Sequence, residues 1–117
     1  MKQSCTAVLL VLSLLLISGC SSIPSGTDAI RDLQKKGAAA VGQNVIIVGM
    51  ADTKTPLSSF RVFKVYQDEE FIWVVLPEGK EEPPQGLNVR VTGTVQEREF
   101  PVVGKAICVE ATKIMME

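Results

Sequence analysis

Asn88-Val89-Arg90-Val91-Thr92-Gly93-Thr94-Val95 places Val89, Val91, Gly93 and Val95 on one side and Arg90, Thr92 and Thr94 on the other. This is the period of a strand with one buried and one wet face. Strand patterns recur outward from it: Val45 to Gly49 is an aliphatic run ending in glycine, Ser59 to Tyr66 a second run, Phe71 to Leu76 a third rich in aromatic and β-branched residues, and Lys105 to Ile114 a last. Asp52 to Pro56 and Gln67-Asp68-Glu69-Glu70 carry turn chemistry. Pro77 to Gly86, with three prolines, two glycines and three glutamates, reads as a loop. Five short strands left flat would bury too little and leave edges open, so the expected fold is all-β, a five-stranded barrel that hides its edges.

Ahead of the strands, Thr27 is placed to cap a short helix over Asp28 to Ala40. Asp28 and Asp32 come early and Lys35 and Lys36 late, as the helix dipole favours. Ile30, Leu33 and Val41 mark an apolar stripe, and Gly37 weakens the second half. Two readings stand: a plug for one end of the barrel, or a spacer frayed in solution. Ser21 to Gly26, Ser-Ser-Ile-Pro-Ser-Gly, has the composition of a flexible tether.

The first residues read as an export signal. Lys2 gives a basic start and Ala7 to Ile17 is apolar except for Ser13, within the roughly 7 to 15 residues of a secretory core and short of the roughly 20 that span a bilayer. Leu16-Ile17-Ser18-Gly19-Cys20 resembles the lipobox of bacterial lipoproteins. That resemblance implies a diacylglyceryl group on Cys20, cleavage before it, and a chain beginning at Cys20. The acyl chains, at about 0.8 kcal/mol per buried methylene, would serve as a lasting membrane anchor. The competing readings are a transmembrane anchor and ordinary cleavage near Gly19. The expected organisation is a signal peptide over 1–19, a tether over 20–27, a helix over 28–41 and a barrel over 42–117. The expected address is a bacterial cell envelope. Ser21 is not the aspartate that retains lipoproteins in an inner membrane, so in a host with two membranes the resemblance implies the periplasmic face of the outer one.

From Cys20 on, about 98 residues bury about 60 to 65% of their unfolded surface, enough for one core. Of Cys5, Cys20 and Cys108, only Cys108 would remain a free thiol, so no disulfide can form within the mature chain. Cys108 lies in the apolar run Ala106 to Val109, where a small buried residue is the ordinary role. Without Lys2, eleven basic residues face thirteen acidic ones, which is not the balance of a polyanion binder.

The order of the strand signals resembles an OB-fold: Val45 to Gly49, then Phe63-Lys64-Val65, Ile72-Trp73-Val74-Val75-Leu76, Gly86-Leu87-Asn88-Val89-Arg90-Val91-Thr92-Gly93 and Ala111-Thr112-Lys113-Ile114. Over residues 42 to 115 it is similar to the OB domains grouped with the anticodon-binding modules of transfer-RNA synthetases, and to those of small exported bacterial proteins. Many OB-folds carry a plugging helix between strands three and four. Pro77 to Gly86 is too rich in proline to form one, which leaves that plug to the helix over 28–41 or to the loop itself.

Parity then selects a surface. With Phe63 and Val65 inward, Val62, Lys64 and Tyr66 point outward and the core is spared a lysine. Ile72, Val74 and Leu76 go inward, leaving Phe71, Trp73 and Val75 outside. The expected ligand surface is Lys64, Tyr66, Phe71 and Trp73, joined by Arg90 and, at a strand end, Arg61. Rings beside cations on this face are what an OB-fold uses for bases, sugars or peptide side chains. The alternative is that the Pro77 to Gly86 loop or the N-terminal helix covers Trp73.

The chain has no histidine, no nucleophile elbow, no phosphate loop and no zinc spacing, so no enzymatic activity is expected. No cofactor is expected beyond the lipid on Cys20, and no metal site: Asp68-Glu69-Glu70 and Glu78 to Glu82 lack calcium-loop spacing. Three functions fit. The favoured one is a lipid-anchored binding module or adaptor with a protein or glycan partner in the envelope. The others are a single-stranded nucleic-acid-binding OB-fold protein, which charge and address disfavour, and a structural or stress-related envelope lipoprotein. An uncovered edge or the Trp73 face would support a dimer.

Overall fold

The computed structural model describes residues 26–117. The expected signal peptide, the lipobox with Cys20 and most of the tether lie outside the described residues. Five strands follow one short helix: α1 (Ile30–Lys36), β1 (Asn44–Asp52), β2 (Val62–Gln67), β3 (Glu70–Val75), β4 (Asn88–Phe100) and β5 (Gly104–Met116). They close into a barrel in the order β1-β2-β3-β5-β4, every pair antiparallel except β3 with β5. The all-β expectation and ring closure are met.

The parity of β2 and β3 is as expected. Phe63, Val65, Ile72, Val74 and Leu76 face a core shared with Val45, Ile47, Val89, Val91, Val95 and Val109. Each such side chain contributes about 1.5 to 3 kcal/mol by leaving water. Closure also needs two strands to pass very near their neighbours, and glycines permit it. A Cβ on Gly49 would lie 2.2 Å from the Tyr66 carbonyl oxygen, and one on Gly93 2.3 Å from that of Glu110. Gly49 stands where β1 passes from β4 to β2, and Gly93 adjoins the register shift between β4 and β5.

The helix is a plug. Ile30 and Leu33 are fully buried in the barrel core, together with Ala40 from the 3-10 turn Gly37–Ala40 that continues α1. Two expectations need correction. The N-cap is Ala29 and not Thr27, and the first free amide is served from a distance: Ile30 N donates to Gln67 Oε1 at 2.9 Å. Asp28 pairs with β1 instead, its N–H donating to the Ile46 carbonyl at 2.7 Å and its Oδ2 accepting from Ile46 N at 2.9 Å. Val41 is exposed, because Gly37 at φ 55 ends the α-helix and turns the stripe away.

Strand limits also differ: β1 runs on past Gly49 to Asp52, which pairs with Lys64. Ser59 and Phe60 belong to a 3-10 turn (Ser58–Phe60), and Arg61 is left-handed at φ 65, so β2 starts at Val62. More consequentially, β4 does not stop at Val95. Its pairing with β1 ends at Thr94, yet it pairs with β5 on to Phe100 opposite Gly104. This two-stranded extension leaves the barrel at the end that α1 plugs, where Gly42 and Gln43 bond Val95. Glu97, Arg98, Glu99 and Lys105 are exposed along it, charges that discourage pairing with another chain.

Candidate binding face on strands two and three

Register brings four of the expected residues together on the outside of the barrel. Lys64 stands opposite Trp73 and Tyr66 opposite Phe71. The rings form a ladder: Tyr66 to Phe71 is 5.5 Å between centroids, Phe71 to Trp73 is 5.7 Å edge to face, and Trp73 to Phe100 is 6.1 Å. Such pairs contribute about 0.5 to 1.5 kcal/mol each beyond burial. The Lys64 ammonium lies 4.4 Å from the Phe71 centroid, 5.2 Å from that of Trp73 and 5.8 Å from that of Tyr66. Its Nζ also donates to the Tyr66 hydroxyl at 3.5 Å. One cation is therefore shared by three rings, a contact of about 0.5 to 2 kcal/mol according to how dry it is.

Trp73 is covered, with 5% of its surface exposed. Its apolar neighbours include residues of the β1–β2 connection and the extended hairpin. Trp73 belongs to a second apolar cluster with Leu57 from the β1–β2 connection, Val62, Cys108 and Phe100 from the extended hairpin, and Phe71, Val75 and Ala106 pack against it. Sequence reasoning missed Leu57 and Phe100 because both depend on connections whose path is not written in an alternating pattern. What stays accessible is the edge formed by Tyr66, Phe71 and Lys64, all half-buried.

Arg90 does not join this face. It lies on β4 opposite Val48 of β1, two strands from β2, and pairs with Glu117 Oε2 at 2.9 Å. Arg61 is turned to the strand end, where its guanidinium donates to the Pro77 carbonyl.

Cys108 lies beneath the ladder, fully buried and opposite Trp73. Burial pushes its thiol up from 9.0 to about 11, with Arg98 opposing and Glu110 adding to the shift. At neutral pH it is a protonated, shielded packing residue with little nucleophilic character. Among the described residues, no group of three or more histidine, cysteine, aspartate or glutamate side chains is placed to hold a metal ion.

The face can therefore stack one flat or apolar group on Tyr66 and Phe71 while Lys64 donates hydrogen bonds beside it. Comparison with models of known protein families and with curated proteins finds no match to this chain, so the reading of the face rests on its own geometry.

Proposed function

We propose that this chain is a lipid-anchored binding module or adaptor of a bacterial cell envelope. In this reading an OB-fold barrel, tethered through acyl chains on Cys20, offers the outer edge of β2 and β3 to a protein or glycan partner and performs no catalysis. The OB-fold assignment draws on the closed order β1-β2-β3-β5-β4 and on the sequence resemblance over residues 42 to 115. The observation that carries the binding role is the Tyr66–Phe71 pair, half-exposed, backed by buried Trp73 and flanked by the Lys64 ammonium. Rings already fixed by their neighbours lose little freedom when a partner docks. A sugar face, a proline or an aliphatic side chain suits them, with Lys64 meeting a carbonyl or carboxylate.

Single-stranded nucleic acid fits less well. A strand of bases needs successive open rings along a basic groove, whereas here Trp73 is covered and Lys64 is the cation over the rings. The covering of Trp73 is also the observation that favours the spacer reading.

Backbone amide shifts separate the three. Titration with a peptidoglycan disaccharide-tetrapeptide is expected to move the amides from Lys64 to Phe71, and a short oligothymidylate to leave them in place. No movement with either supports the spacer, and salt-sensitive movement with the oligonucleotide supports the nucleic-acid reading.

A further inference from the structure

The turn that ends the β4–β5 extension is apolar: Pro101-Val102-Val103 joins Phe100 to Gly104. Val102 is 88% exposed and Val103 39%. Val102 also has φ 70, and the Val103 N–H donates to the Pro101 carbonyl at 2.7 Å across it. A β-branched residue is a poor occupant of positive φ, where glycine or asparagine sits at lower cost. Neither backbone conformation nor burial within the chain accounts for valine at 102.

The position of the turn supplies what is missing. The extension leaves the barrel at the end plugged by α1, and the chain from Cys20 enters at that same end through Asp28, hydrogen-bonded to Ile46. Residues 21–27 reach at most about 25 Å when fully extended. The five residues Gln96 to Phe100 span about 17 Å. An anchor at Cys20 therefore leaves this turn within reach of the bilayer at the end where the chain enters, while the Pro77 to Gly86 loop joins the opposite ends of the strands. We infer that the Pro101–Val103 turn is a second membrane contact, which dips into the boundary between lipid headgroups and acyl chains and sets the orientation of the barrel.

This rests on the lipid-anchor reading. Two valines would not hold a free protein to a membrane, but for a tethered one the contact is intramolecular, and a weak affinity suffices. Near the turn Glu97 and Glu99 balance Arg98 and Lys105, so the surface recognised is apolar and zwitterionic and the contact is insensitive to salt.

The test uses the full chain expressed in a bacterium, purified with its anchor and reconstituted in phosphatidylethanolamine–phosphatidylcholine vesicles. A thiol-reactive fluorophore is placed on Val102→Cys or on Lys80→Cys, buried Cys108 being slow to react. Intact mass first reports whether the chain begins at an acylated Cys20. Nitroxide-bearing lipids are expected to quench the probe at 102 and not the probe at 80. With acyl mass present but equal quenching at both sites, the second contact is overturned and the anchor stands. Shielding of the 102 probe from aqueous iodide without lipid quenching indicates a second copy on the turn and also overturns it. Without acyl mass, the anchor reading falls and takes this inference with it. Compared with Val103→Cys alone, a Val102→Asn chain labelled at Val103→Cys should keep or raise its thermal midpoint while lipid quenching falls by at least about half, the remaining valine being lost. Unchanged quenching there contradicts a role for the Val102 side chain.

Discussion

Phe63 and Trp73 are buried aromatic residues on neighbouring strands, but different parts of the chain bury them. Phe63 points into the barrel and shares its cluster with side chains from all five strands and from α1. Trp73 points outward and is enclosed by Leu57 on a connection and by Phe100 on a two-stranded extension that has left the barrel. The first environment opens only if the barrel opens. The second opens if one hairpin frays, because β4 beyond Val95 has only β5 to hold it. Inner packing thus sets whether the chain folds, and outer packing sets how firmly the Tyr66–Phe71 edge is presented.

The sharpest way to break this contrast is to truncate one residue of each kind. Phe63→Ala should cost about 3 to 5 kcal/mol, much of the stability of a domain this size, and shift the urea midpoint accordingly. Phe100→Ala should cost less, about 1 to 3 kcal/mol, because the hairpin can relax around the gap, and it should redden Trp73 emission in the folded state. Equal losses would mean that the two clusters form one cooperative core.

The thiol beneath Trp73 gives a smaller effect with a defined sign. Below pH 9 Cys108 is protonated whether the chain is folded or not. Between 9.0 and about 11 the unfolded chain releases a proton that the folded chain keeps, so its stabilising contribution is lost across that window. Relative to Cys108→Ala, wild type should lose about 1 to 2 kcal/mol from pH 9 to 11, read from urea midpoints at several pH values. Parallel curves would mean that the thiol is open to water.

Lys64→Gln should have the smallest effect on folding, about 1 kcal/mol or less, because the ammonium is half-exposed and its gain from the rings is partly screened. If the proposed binding role holds, the same change weakens binding at the Tyr66–Phe71 edge more than it weakens the fold, measured by amide titration beside thermal melts.

Legibility in the sequence followed the same division. Alternation in Asn88 to Val95 and the need to keep Lys64 out of the core were enough to give the strands, their inward faces and the closed sheet. The extension was hidden because Gln96-Glu97-Arg98-Glu99 is polar on both faces, as a ribbon outside the core should be, and so carries no period. Without the extension, Phe100 could not be placed over Trp73. The helix was visible from Ile30 and Leu33, but its long-range partner Gln67 was not, since a glutamine at a strand end has many ordinary uses. Arg90 was assigned to the correct side of its strand and the wrong neighbourhood, because parity gives the face of a sheet and not the distance around a barrel.

Trp73 is the only tryptophan in the chain, so its fluorescence reports the outer cluster without interference. If Phe100 and Leu57 cover the ladder and leave only the Tyr66–Phe71 edge to a partner, wild-type emission is blue-shifted and acrylamide quenches it slowly, while Phe100→Ala is redder and quenched faster. Red emission and rapid quenching in the folded wild type would contradict the account, and would make the whole ladder, Trp73 included, an open platform.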